Sequence, residues 1–169
     1  MVGNSSRVLV AISGGVDSST AAALLVEAGM QCAGVFMITN GHYRHAQEAA
    51  EAVAKKLGIE LHVLDLREEF ERILDYFCSE YTKGRTPNPC VVCNRQIKFG
   101  RLWQFARENG AILFATGHYA RIVKSNGGWS GLYEATDSAK DQSYALAMVK
   151  RAVLNHIVLP MGGYSKNHT

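Results

Sequence analysis

Apolar and polar positions along this chain fall into blocks that switch repeatedly between a strand period and a helix period. Residues 8–12 are apolar and largely β-branched, bounded by Ser and Gly, which predicts a core strand. A turn at Ser13, Gly14 and Gly15 leads to a helix over 20–29, for which Asp17, Ser18 and Ser19 supply N-cap chemistry. A second strand is predicted over 32–38. The helix after it covers 45–57, with Ala46, Ala50, Val53, Ala54 and Leu57 at helical spacing and Gly58 as its C-cap. A third strand over 61–66 precedes a helix whose inner face is Phe70, Ile73, Leu74 and Phe77. Prolines in 84–89 forbid regular helix, which resumes over about 94–108. A fourth strand is predicted over 111–116. Segments 120–123 and 131–135 flank a Gly-rich loop as a hairpin, 140–146 opens another helix, and 156–159 forms a last strand. The alternation predicts an α/β fold: a parallel, Rossmann-like sheet with a small hairpin insertion, in one domain over 1–169.

Composition narrows the class without naming a function. The 169 residues are 47% hydrophobic and 20% charged, which suits a globular domain with a sizeable core. No run approaches the roughly 18 apolar residues of a membrane span, and no secretory signal is read at the N-terminus. The four cysteines, at 32, 78, 90 and 93, are therefore expected to be reduced, in the cytoplasm. The formal charge of +3 is compatible with an RNA partner but does not indicate one.

Chemistry enters at Ser13-Gly-Gly-Val-Asp-Ser-Ser19. Strand, glycine turn and helix start together offer backbone N–H groups to a phosphate. The Lys of a G-x-x-x-x-G-K-[ST] loop is missing, and so is G-x-G-x-x-G, which disfavours the P-loop and dinucleotide mechanisms. The string resembles the PP-loop of the ATP pyrophosphatases, which split ATP into AMP and pyrophosphate. That resemblance implies an adenine nucleotide alpha hydrolase-like fold, with Asp17 organising phosphates and metal.

Asn88-Pro-Cys-Val-Val-Cys-Asn94 is the second strong feature. A C-x-x-C before a helix, after a rigid proline loop, places a thiol where a helix N-terminus favours the thiolate. Half a zinc site, a thioredoxin-like dithiol and two buried small residues are the competing readings. Cys32 and Cys78 are isolated in sequence and give no second metal-binding pair. Arg85, Arg95 and Lys98 cluster around the cysteines and suit RNA phosphates or plain solvation. His118 suits a nucleotide contact or a structural hydrogen bond. Trp103 and Phe105 read as core.

The segments 84–99, 115–121 and 140–144, in that order after the loop, resemble the tRNA-specific 2-thiouridylase branch of the PP-loop superfamily. The resemblance implies ATP-dependent 2-thiolation of the wobble uridine of tRNA: adenylation of the C2 oxygen with ATP and Mg²⁺, then sulfur transfer from a cysteine persulfide supplied by a donor protein. It assigns Ala11, Ile12, Ser13, Gly14, Gly15, Val16, Asp17 and Ser18 to the ATP phosphates, Met37 to adenine, and Gly117 to close approach of the nucleotide. Asn88, Pro89 and Cys90 match the segment that contacts the target base. Lys140, Asp141 and Gln142 match a second tRNA-contacting element, and Cys93 matches the catalytic cysteine. Many members of the branch carry Asp where this chain has Cys90. Cys90 and Cys93 are accordingly read as a catalytic dithiol, or as two ligands of an iron–sulfur cluster that needs a third.

The branch also uses a second, persulfide-bearing cysteine and C-terminal RNA-binding domains that 1–169 do not contain, so a truncated catalytic domain is expected. Two alternatives stand beside the thiolase: a PP-loop enzyme that adenylates a small molecule, and a non-catalytic ATP- or metal-binding remnant.

Overall fold

The computed structural model of the chain describes residues 7–124 and 130–165. β1 (Arg7–Ala11) is its central strand, with Val8, Leu9 and Val10 buried. A strand covered on both faces needs a continuous apolar run, not an alternating one, and that is what these residues supply. α1 (Val16–Glu27) returns the chain to β2 (Gln31–Ile38), which pairs parallel with β1. α2 (Arg44–Leu57) crosses to β3 (Leu61–Asp65), parallel to β2. Gly58 ends α2 in the left-handed region at φ 67°, as the sequence predicts.

α3 (Arg67–Thr82) leads through an irregular proline segment to α4 (Pro89–Cys93). The backbone stays helical from there, through a π-helical stretch Asn94–Leu102, into α5 (Trp103–Glu108). The cysteines therefore form the first turn of one long helix rather than preceding it. β4 (Leu113–Ala115) pairs with the other edge of β1. The hairpin strands β5 (Arg121–Lys124) and β6 (Ser130–Tyr133) are antiparallel, and the loop between them lies outside the described residues. After α6 (Arg151–Leu154), β7 (Ile157–Val158) closes the sheet against β4. Strand order is β3-β2-β1-β4-β7, with every pairing parallel. The chain leaves β1 toward one edge and later returns to the other. The carboxyl ends of β1 and β4 thus form a topological switch point, where open α/β sheets hold ligands.

Helices cover both faces of the sheet. On one side Leu9, Ala33 and Val35 pack with Ile73, Ile97 and Leu102; on the other Val8, Val10 and Phe36 pack with Ala22, Leu25 and Ala50. Trp103 is core as expected and stacks on His156, with ring centroids 5.0 Å apart.

Three local expectations are corrected. Leu74 is 46% exposed, because the inward stripe of α3 runs through Phe70 and Ile73 and turns past it. The first helix starts at Val16, earlier than expected. No α-helix forms over 140–146; two 3₁₀ turns, Ser138–Lys140 and Ser143–Leu146, stand there instead. The Asp141 carboxylate accepts from its own neighbours, Ser143 N–H at 3.2 Å and Ser143 Oγ at 2.7 Å. Such local bonds compete with the helix.

Candidate active site

The turn after β1 is organised by its serines. Ser13 N–H donates to Ser18 Oγ at 3.1 Å, and Ser18 Oγ and Ser19 Oγ both donate to the Gly15 carbonyl, at 3.0 and 2.8 Å. Asp17, Ser18 and Ser19 lie inside the first turn of α1, not ahead of it. The N-cap position is Gly15, which brings no capping side chain. The expected capping role is thereby corrected, with a chemical consequence. The start of α1 thus carries no capping side chain at the positive end of a 12-residue helix, a place that favours an anion.

Two glycines make this packing possible. Gly14 has φ 79°, and a β-carbon on it would overlap the Ala46 carbonyl oxygen in the first turn of α2. At Gly117, just after β4, a β-carbon would stand 2.7 Å from Ser18 N and 2.8 Å from the Asp17 carbonyl carbon. Gly117 thus brings the end of β4 up to the first turn of α1, a closer constraint than room for a nucleotide alone.

A cavity of about 380 Å³ opens at the switch point. Of the residues assigned to ATP by sequence, Ala11, Ile12, Ser13, Asp17, Ser18, Met37 and Gly117 line it. Gly14, Gly15 and Val16 shape the turn behind it without lining it. Thr39, Asn40, His42 and Tyr43, in the segment after β2, complete one wall and were not singled out by sequence. Tyr119 Oη donates to Asp17 Oδ1 at 3.0 Å, fixing that carboxylate beside the loop.

Lys98 also lines the cavity, together with Thr116 and His118. This corrects its reading as part of a basic surface cluster; the core side chains Ile97 and Phe99 on either side of it are the signal that could have revealed its place. Burial pushes the Lys98 ammonium below the usual lysine range, against the opposing pull of the Cys93 and Cys90 sulfurs. Arg85 is taken up by Glu80 at 2.9 Å, while Arg95 is exposed. Burial, reinforced by the nearby Lys98 charge, pushes His118 down to about 3, so it meets a ligand as a neutral ring. Its Nδ1 shares a 2.8 Å hydrogen bond with Thr116 Oγ1.

Neither Cys90 nor Cys93 lines the cavity; Cys90 is exposed and Cys93 half-buried. Burial raises the Cys93 thiol above its ordinary value, and the Lys98 charge opposes that rise. The expectation of a helix-terminus thiolate is therefore corrected for Cys93, because desolvation outweighs the field around it. Asn88 caps α4, its Oδ1 accepting from Cys90 N–H at 3.0 Å and Val91 N–H at 3.3 Å, with Pro89 at the first helical position.

Asn94, directly after Cys93, donates through Nδ2 to the Ala145 carbonyl at 3.0 Å. That bond ties the cysteine helix to the Ser143–Leu146 turn, which directly follows Lys140–Asp141–Gln142. Gln142 lines the cavity and accepts from Tyr119 N–H at 3.0 Å, while Lys140 is exposed. Asp141 is turned inward on its own loop, accepting from Ala135 N–H at 2.8 Å as well as from Ser143. Burial works against its ionisation, but the bonds from Ser143, Ala135 and Gln142 prevail and hold the carboxyl below its ordinary 3.8. A depressed carboxyl contributes stability above its unfolded value, lost as pH falls through the folded one. Loss of carboxylate acceptance from Ser143 and Ala135 in Asp141→Asn should destabilise the fold by about 1 kcal/mol at pH 7, a solvent-screened contribution. That deficit should shrink below pH 4, as urea unfolding at both pH values would reveal.

The residues present fit Mg²⁺ with phosphates: the Asp17 carboxylate, held beside the loop, would supply an oxygen to the ion. For an iron–sulfur cluster they offer the two thiols of Cys90 and Cys93. Among the described residues no group of three or more His, Cys, Asp or Glu comes together to hold a metal. Among the same residues, no helix is long and apolar enough to cross a membrane.

A parallel sheet that presents an uncapped helix at its switch point, on a glycine turn with no lysine of its own, defines a PP-loop α/β domain of the Rossmann-like class. The sequence then places it: the family model described as "tRNA methyl transferase HUP domain" matches residues 6–169, and the chain belongs to that family. It is 46% identical over 175 residues to the tRNA-specific 2-thiouridylase MnmA of Carboxydothermus hydrogenoformans, covering 95% of this chain and 48% of that protein. It is 48% identical over 172 residues to the protein of the same name from Chloroflexus aurantiacus, with the same coverage. The chain spans about half the length of the curated relatives it matches. Among solved structures, a "predicted subunit of tRNA methyltransferase" from Methanocaldococcus jannaschii shares the fold, with TM-score 0.54, 18% identity, and coverage of 96% of this chain and 71% of that one.

Proposed function

We propose that this chain carries the adenylation centre of a tRNA 2-thiouridylase. The α1 N-terminus and the loop serines bind the phosphates of ATP, Met37 borders the adenine, and Asp17 holds Mg²⁺, which neutralises phosphate charge when bound. The C2 oxygen of the wobble uridine attacks the α-phosphorus, and the bond to pyrophosphate breaks. The terminal sulfur of a cysteine persulfide, supplied by a donor protein, then attacks C2, and AMP leaves with the former C2 oxygen; a thiolate next attacks the persulfide's inner sulfur, breaking the S–S bond to release 2-thiouridine and leave a disulfide. The loop contributes position and charge stabilisation to the first step. Cys93 takes part in the sulfur step, and Asn88 to Cys90 with Lys140 to Gln142 form the tRNA-contacting face.

One observation carries this reading: Asp17 and Ser18 in the first turn of α1 line a cavity that Lys98, on the continuous helix that begins with the cysteines, also lines. A small-molecule adenylating enzyme has no use for that cysteine helix. The reading also takes support from the similarity to proteins named as thiouridylases. Incubation with ATP, Mg²⁺, tRNA and a persulfide donor should yield AMP, pyrophosphate and 2-thiouridine. AMP formation indifferent to tRNA would count against the proposal.

A further inference from the structure

The PP-loop offers backbone N–H groups and hydroxyls but no cation, since no lysine stands between Ala11 and Thr20. A polyphosphate chain carries several negative charges, and N–H dipoles at one helix end balance only part of them. The nearest source of positive charge in the cavity wall is on another element. Lys98 projects from the π-helical stretch Asn94–Leu102, between Ile97 and Phe99, which are 1% and 4% exposed. Those neighbours pack in the core, and Lys98 between them lines the cavity.

Lys98 takes part in none of the ion pairs found among the described residues, and no member of those pairs lines the cavity. A partly buried lysine outside any ion pair costs stability, and such a cost persists where the charge serves a ligand. Two further facts point to an anion. His118, which shares this wall, is neutral and cannot supply the charge itself. The helix around Lys98 adopts π geometry, which is poorly bonded and recurs at functional sites.

We propose that Lys98 contacts the phosphate chain of ATP from the wall opposite the PP-loop's own helix, supplying from the cysteine helix the cation that the loop lacks. The inference rests on the ATP-binding reading above and adds to it the residue that answers the triphosphate's charge. It also gives the cysteine helix a direct contact with the nucleotide.

The test is calorimetric titration of the 169-residue chain with ATP and Mg²⁺, and with adenosine as the uncharged control, in wild type, Lys98→Met and Lys98→Arg. Lys98→Met should weaken ATP binding by about 10-fold or more, the scale of one charge-assisted contact. Adenosine affinity should not change, and Lys98→Arg should recover most of the loss. The melting temperature of Lys98→Met should hold or rise, because an unpaired charge gives way to an apolar chain of similar length. Equal ATP affinity in wild type and Lys98→Met overturns the inference alone. A parallel loss of adenosine affinity and melting temperature also overturns it, since Lys98 would then be structural. Failure of the wild type to bind ATP overturns the underlying reading and this inference with it.

Discussion

Gly14→Ala is expected to weaken ATP binding by at least 100-fold, the largest effect on nucleotide affinity of any substitution considered. Two costs fall on one atom. The φ of 79° places a β-carbon in the left-handed region, worth roughly 1–2 kcal/mol for a non-glycine residue. The same β-carbon would overlap the Ala46 carbonyl oxygen, which is backbone in the first turn of α2 and cannot rotate away. Relief requires the turn to move off α2, and the first-turn N–H groups of α1 move with it. Because those groups are the proposed anion site, the loss of affinity should exceed the loss of stability. Calorimetry with ATP beside thermal unfolding of the same protein separates the two. Affinity within threefold of wild type would mean that the phosphates sit elsewhere.

The second large effect is expected at Cys93. Cys93→Ser should lower 2-thiouridine formation by 1,000-fold or more while leaving AMP release within about threefold. Serine matches the thiol closely in size, and the site is only half-buried, so packing changes little. The sulfur chemistry changes completely, since a hydroxyl is far less acidic than a thiol and a far weaker nucleophile at neutral pH. Cys93 lies outside the cavity, which is why the adenylation half should survive. Nucleoside analysis of the tRNA, run beside AMP quantification, reads both halves. Loss of both together would place Cys93 in nucleotide binding instead.

The order of elements was legible because the apolar runs are long and the punctuation is strong. Residues 8–12 had to be a buried strand, and Gly58 had to end a helix. The PP-loop and the Cys90–Cys93 motif were legible as local strings for the same reason. What escaped was set by contacts distant in sequence. Lys98 looks like a surface charge until Ile97 and Phe99 are seen in the core. The wall from Thr39 to Tyr43 carries no motif and is positioned only by the end of β2. The helix expected over 140–146 was lost to a side chain: Asp141 bonds Ala135 across the loop, a partner that spacing alone does not reveal. Asp141 and Asn88 were both matched to tRNA contacts, and in the fold each is engaged in holding its own segment in shape.

The central claim is that the cavity activates the uridine C2 oxygen. It is tested most directly with tRNA whose wobble uridine carries ¹⁸O at C2, incubated with ATP, Mg²⁺ and a persulfide donor. Mass analysis of the AMP should show one ¹⁸O per AMP for each 2-thiouridine formed, because the C2 oxygen leaves on the α-phosphate. Unlabelled AMP, formed at the same rate with or without tRNA, would show water attacking ATP and would contradict the account.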